Sequence, residues 1–189
     1  MTTNRLEAFS DGVLAIIITI MVLELKVPEG DTLAALKPLI PTFTTYVLSF
    51  IYLGIYWNNH HHLMHATKKV NGKVLWANLH LLFWLSLFPF ATGYMGENHF
   101  QELPTALYGF VLFMASIAWY ILVSVLKSSQ LDNTTLHESH KGKFKDILSI
   151  TLYGVATIIS FYSPVFAAVL YVLVALFWFV PSKELEREE

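Results

Sequence analysis

The chain holds eight histidines and no cysteine, so metal or acid–base chemistry would rest on imidazole and carboxylate groups. His60, His61, His62 and His65 sit together, His80 follows, and His137 and His140 come later. His61 and His65 have the i, i+4 spacing that puts two imidazoles on one helix face, a metal-ligand pattern. The chemistry such a cluster could support is that of a metal-dependent membrane enzyme, of the kind that holds iron with histidine boxes. Two features weigh against it. Histidine and carboxylate groups are not repeated at several strict spacings. A metal transporter would carry Asp and His inside its apolar stretches, and these hold almost none. The absent cysteines exclude thiolate zinc sites, thiol nucleophiles and disulfide scaffolds. G-x-S-x-G, P-loop and G-x-G-x-x-G motifs are missing, which removes hydrolase and nucleotide readings. A net charge of −2 and a pI near 6.4 give no basic surface for nucleic acid.

A second polar group lies near the N-terminus, where Arg5, Ser10 and Asp11 precede an uncharged run. Between Asp11 and Glu24 stand twelve uncharged residues, GVLAIIITIMVL, about 18 Å of helix. That is short for a lipid-facing span and suits a signal-peptide core, a re-entrant piece or a helix shielded by protein. No small-residue cleavage site follows, since Glu24-Leu25-Lys26 comes next, which counts against a signal peptide. Ile16, Thr19, Ile20 and Leu23 fall at i, i+3, i+4 and i+7, one helix face. Gly12, Ala15 and Thr19 offer small residues for close helix contact. Two readings stay open for the stripe: ordinary helix packing, or the lining of a narrow pore in which apolar rings gate by dewetting.

The elements that position these groups follow from composition. Apolar residues make up 55% and charged residues 14% of 189, with 15% aromatics and a mean hydropathy of +0.53. A soluble domain has roughly 25% charged residues. The chain reads as an all-α integral membrane protein. Six spans are expected, at about 8–26, 39–59, 74–95, 104–126, 146–162 and 164–180. Pro164 favours a hairpin between the last two, and Pro89 a kink inside the third. Period-two alternation is absent, so a β-barrel is excluded. Arg5, Lys68, Lys69, Lys73, Lys127, Lys141, Lys143, Lys145, Lys183 and Arg187 fall on one side of these spans. Only Lys26 and Lys37 fall on the other, so both termini are expected in the cytoplasm (N-in/C-in). That side also holds seven of the eight histidines. The loop 127–145 is expected to be polar and partly mobile, and Ser182–Glu189 a short charged tail.

Arg5-Leu6-Glu7-Ala8-Phe9-Ser10-Asp11 has the form R-x-x-x-F-S-D at the opening of the first span. Trp57 with Asn59-His60-His61, Leu75-Trp76 with Asn78, Leu87-Phe88-Pro89-Phe90 and Gly96-Glu97 follow in order. Together these resemble the transmembrane-protein-175 potassium channels of animal endosomes and lysosomes and of many prokaryotes. Animal members carry two six-helix repeats and this chain one, so the resemblance implies the prokaryotic form: a homotetramer in the plasma membrane, with four first helices around one pore. It also implies pore layers at Ile16, Thr19, Ile20 and Leu23, with selectivity at the first two and no re-entrant carbonyl filter.

The expectation is thus one six-helix channel subunit over 1–189, conducting K+ passively across a lipid bilayer as a homotetramer. It would not be an enzyme, would need no cofactor and no bound metal, and K+ would pass transiently at the Ile16 and Thr19 rings. Ile16, Ile20 and Leu23 would form the apolar constriction. Asp11 near the membrane boundary needs a partner, and Arg5 is the nearest cation. Ser10 is expected to cap the helix start. With Phe9 and Trp57 from the motif, and His60 or His61 and Asn78 from the next two spans, these groups would form a network holding the base of the pore helix. The rival is a set of independent helix caps. Thr92-Gly93-Tyr94-Met95-Gly96 is reminiscent of a T-V-G-Y-G filter, but the order is wrong and no pore loop follows; it reads as the outer end of span three.

Overall fold

The computed structural model describes residues 2–130 and 140–179, and all regular structure among them is helical. The helices are α1 (Thr3–Leu23), α2 (Leu33–Leu36), α3 (Ile40–His65), α4 (Gly72–Ser86), α5 (Phe88–Glu97), α6 (Glu102–Ser129), α7 (His140–Ile159) and α8 (Pro164–Phe179). A 3-10 turn, Lys37–Leu39, joins α2 to α3. Among the described residues, four helical runs are long and apolar enough to cross a membrane: Thr3–Leu23, Leu33–His65, Gly72–Glu97 and Glu102–Ser129. The last two expected spans fall on α7 and on α8, a shorter apolar helix.

Proline explains where several helices begin. Pro38, Pro41, Pro89, Pro104 and Pro164 all stand in first turns, where the missing N–H has no intrahelical partner to lose. Pro89 does more than the expected kink: it divides the third span into α4 and α5. Having no N–H, it cannot donate to the carbonyl of Leu85, and just before it the Leu87 amide bonds the Trp84 carbonyl, three residues back, at 3.2 Å. The expected hairpin before Pro164 is present, with the Ser163 amide closing on Ile159 at 2.8 Å. Thr92–Gly96 lies within α5, helical and not a filter loop.

Several boundaries differ from expectation. α1 starts five residues before the expected span and ends at Leu23, so Ser10 sits in mid-helix and caps nothing. The reason is local: Arg5, Leu6, Glu7 and Ala8 are good helix formers, and Leu6 finds a buried site. α3 runs through His65, which puts His60, His61, His62 and His65 on a helix rather than in a loop. α6 extends to Ser129 and α7 begins at His140, so the expected loop shortens and Lys127, Lys143 and Lys145 become helical. His137 and the tail Ser182–Glu189 lie outside the described residues.

α6 packs against α4 and α7, α3 against α5, and α7 against α8, while α1 rests on α3, α4 and α5. Tyr52, Leu53, Leu81, Leu85, Phe88, Leu112, Leu122 and Tyr171 fill the shared core. Buried hydroxyls pair with one another across the helices, Thr105 Oγ1 being an exception. Ser49 meets Thr92 at 2.7 Å and Tyr108 at 2.9 Å, and the Tyr171 hydroxyl meets Ser160 at 3.1 Å. Two glycines permit close approach. A Cβ on Gly96 would stand 2.5 Å from Thr42 Cα, and one on Gly109 would overlap the Tyr171 hydroxyl. Burial is uneven. Only 28% of the α1 span and 22% of the Leu33–His65 span is buried, against 50% for the Gly72–Glu97 and Glu102–Ser129 runs.

Candidate functional site: the first helix and its polar anchor

α1 has two distinct faces. Leu6, Ser10, Leu14, Ile17 and Met21 step by three or four residues along one side and are buried against the neighbouring helices. The opposite side carries the stripe singled out by spacing. Ile16 is 61% exposed, Ile20 42% and Leu23 75%, with Gly12, Ala15 and Thr19 also exposed. Ordinary packing within the chain therefore does not explain this stripe. The Thr19 hydroxyl donates to the Ala15 carbonyl at 2.8 Å. Its proton is thus spent on the backbone, which leaves the oxygen lone pairs free to accept.

The buried face ends in a directed chain of hydrogen bonds. Ser10 Oγ, fully buried, donates to the Leu6 carbonyl at 2.9 Å and so accepts from Asn78 Nδ2 at 3.0 Å. Asn78, also fully buried, then presents Oδ1 to His60 Nε2 at 2.8 Å. The order of donors puts the His60 proton on Nε2 and leaves Nδ1 a bare lone pair, buried without a partner. One residue each from α1, α3 and α4 is joined in this way.

A second arm runs along the α1–α3 contact. Trp57 Nε1 donates to Asp11 Oδ1 at 3.1 Å, and His61 Nδ1 meets Glu7 Oε1 at 2.7 Å. Four-residue steps on both helices keep the two pairs in antiparallel register, and the Trp57 ring stacks on His61 at 6.3 Å. The Thr3 hydroxyl extends the tie to the Thr67 carbonyl at 3.3 Å. Both His60 and His61 therefore contact α1 or its anchor, in different arms.

Two expected pairings change. Asp11 takes its hydrogen bond from Trp57, not from Arg5; Arg5 is exposed and forms no ion pair among the described residues. Arg5 stands six residues earlier, well over a helical turn away, and its side chain leaves the helix on another side. Phe9 is 51% exposed and lies with the uncovered side of α1. Glu7 escaped the sequence reading because it occupies a variable position of the motif, although its i, i+4 relation to Asp11 marks it as a neighbour on the same face. At the other end of the bundle Lys26 Nζ pairs with Glu97 at 2.6 Å, both well exposed.

Comparison with known proteins gives a consistent result. The family described as "Endosomal/lysosomal potassium channel TMEM175" matches residues 5–89. A protein named as a potassium channel in Chryseobacterium sp. (strain P1-3) is 56% identical over 187 residues, 99% of this chain and 97% of that protein. Another named as a potassium channel in Streptomyces collinus is 33% identical over 128 residues, 64% of this chain and 62% of that one. The crystal structure of a lysosomal potassium-selective channel TMEM175 homolog from Chamaesiphon minutus superposes with a TM-score of 0.82 at 26% identity, covering 94% of this chain and 96% of that one. These relatives are channels, which together with several apolar helices makes the chain a multi-pass membrane protein and not an enzyme. The histidine cluster is therefore not an enzyme centre, and the chain belongs to the TMEM175 family of potassium channels.

Proposed function

We propose that four copies of this chain, each a single six-helix subunit over 1–189, form a K+ channel with their α1 helices around a central pore. Both ends of each chain face the cytoplasm of a prokaryotic plasma membrane in this reading. The observation that carries it is the uncovered stripe: a helix anchored on one face by a polar chain leaves Ile16, Thr19, Ile20 and Leu23 exposed on the other. The sparse burial of the α1 and Leu33–His65 spans leaves both with surface for neighbouring subunits. The names of the relatives supply the ion.

Geometry makes such a stripe a gate. Four helices on a square at about 9 Å between neighbouring axes place each axis about 6.4 Å from the centre. Cα atoms then stand about 4 Å from it, given a Cα radius of about 2.3 Å. Four Ile or Leu side chains projecting inward from that distance fill the axis and exclude water. Ile16 and Leu23 are about 10 Å apart along the helix, so the apolar stretch is about two turns long. Thr19 lies between them, its oxygen turned outward for an ion that has shed part of its water. K+ passes passively, and its weaker hold on water relative to Na+ favours it at that ring.

Reconstitution tests this reading. Purified protein in liposomes takes up K+ down its gradient and prefers it to Na+. Leu23→Asn and Ile16→Asn wet the constriction, raise the flux and reduce discrimination. Unchanged flux in both variants removes the pore from this stripe. The oligomeric state is read from the mass of the detergent-solubilised complex, four chains being expected.

A further inference from the structure

One cluster extends the anchor by a group that the anchor does not use: beside the Glu7–His61 pair stands His65. Glu7 on α1 and His61 and His65 on α3 bring one carboxylate oxygen and two imidazole nitrogens within 4.8 Å of one another. His61 and His65 are one helical turn apart, with ring centroids 4.3 Å apart, so both imidazoles lie on the same side of the helix. Trp57 stacks against His61 and fixes its plane. His65 itself is exposed and takes no part in the chain from His60 to Ser10. We propose that Glu7, His61 and His65 bind a transition-metal dication of the zinc class, and that the bound ion pins α1 to α3 and slows K+ flux. The second half rests on α1 being the pore helix.

The chemistry selects the ion. Ligand distances of about 2.0–2.2 Å to zinc place tetrahedral donor atoms about 3.3 Å apart. The observed Glu7–His61 contact at 2.7 Å and the 4.8 Å outer limit bracket that value, so the donors already lie close to the separation a bound ion needs. Two imidazoles and one carboxylate suit zinc and its neighbours and reject Mg2+ and Ca2+, which favour all-oxygen shells. Three protein ligands leave the fourth position to water, as in open zinc sites. The mechanical consequence follows from which helices supply the donors. Glu7 lies nine residues before Ile16, about 13 Å along α1, so an ion at Glu7 holds the base of the helix whose far half carries the stripe.

Metal binding is measured on the purified, chelator-treated full-length protein by equilibrium dialysis against ZnCl2, with MgCl2 alongside. The expected result is one Zn2+ per subunit in the unmodified protein, lost or weakened at least tenfold in His65→Ala and Glu7→Gln, with Mg2+ not retained. Equal Zn2+ binding by all three proteins, or none by any, overturns the site. K+ flux in liposomes is then followed with Zn2+ on both sides. Zn2+ should slow the unmodified channel several-fold and leave His65→Ala, whose flux without Zn2+ matches the unmodified channel, unaffected. Binding that depends on His65 with no change in flux overturns the pinning of α1. Because dialysis does not depend on where ions permeate, the metal site stands or falls separately from the pore assignment.

Discussion

Replacing Asn78 by leucine keeps the volume of a fully buried side chain while removing both polar ends of the link between His60 and Ser10. Ser10 keeps its bond to the Leu6 carbonyl and loses only a donor to its oxygen, at about 0.5–1 kcal/mol. His60 fares worse. It is 2% exposed and its Nδ1 already lacks a partner, so the freed Nε2–H has no water to turn to. An unsatisfied buried donor costs about 1–3 kcal/mol. The expected loss is therefore about 1.5–4 kcal/mol, which at about 2–4 °C per kcal/mol for a chain of this size lowers the melting temperature by several degrees. His60→Leu should cost about 1–3 kcal/mol by stranding Asn78 Oδ1. The double variant should be less destabilised than the sum of the two, by about 1–2 kcal/mol, because each single change strands what the other removes. Tryptophan fluorescence during thermal unfolding of the detergent-solubilised protein reads all three. Strict additivity, with Asn78→Leu melting as the unmodified protein does, refutes a directed chain and leaves independent helix contacts.

Three further outcomes are expected. Gly109→Ala drives a methyl into the Tyr171 hydroxyl, which bonds Ser160 and the Thr105 carbonyl and has little freedom to move; a loss of about 1–3 kcal/mol follows in the same melting assay. Arg5→Ala, at an exposed position with no ion pair within the described chain, should change stability by less than about 0.5 kcal/mol, and a larger loss in the assembled channel would locate an Arg5 partner on a neighbouring subunit. Lys26 is held above the ordinary lysine pKa by its hydrogen bond and attraction to Glu97. The small stability this gives is present below the ordinary lysine value and lost as pH rises through the raised one, so Glu97→Gln should bring the Lys26 titration down in NMR of ε-labelled lysine while leaving stability near neutral pH almost unchanged.

Local signals read well from the residues alone. Runs of apolar side chains mark the helices, four of them long and apolar enough to cross a membrane among the described residues, and Pro89 and Pro164 mark real breaks because a proline acts through its own ring and missing N–H. The stripe Ile16, Thr19, Ile20 and Leu23 was visible as helical spacing, but only the fold shows that the chain leaves it uncovered. Pairings across helices were harder. Closeness in sequence points Asp11 to Arg5, whereas the antiparallel register of α1 and α3 delivers Trp57 to Asp11 and His61 to Glu7. Ser10 looked like a cap because it is a serine beside a charged residue. It is in fact a buried relay, a role set by Asn78 arriving 68 residues later. The hydroxyl contacts of Ser49, Thr92 and Tyr108 were not legible either, since their partners come from three helices and none carries a motif.

The absence of native cysteine makes the central claim directly accessible, because a single introduced thiol is the only one present. Leu23→Cys lies on the proposed pore stripe, while Val22→Cys, 45% exposed and one residue earlier, points about 100° away around the helix. The decisive measurement is K+ flux through each variant before and after a charged, thiol-specific methanethiosulfonate reagent. Modification is expected to block or sharply alter flux through Leu23→Cys and to leave Val22→Cys unchanged. Equal effects at the two positions, or an effect at Val22→Cys alone, would contradict a pore lined by this face of α1.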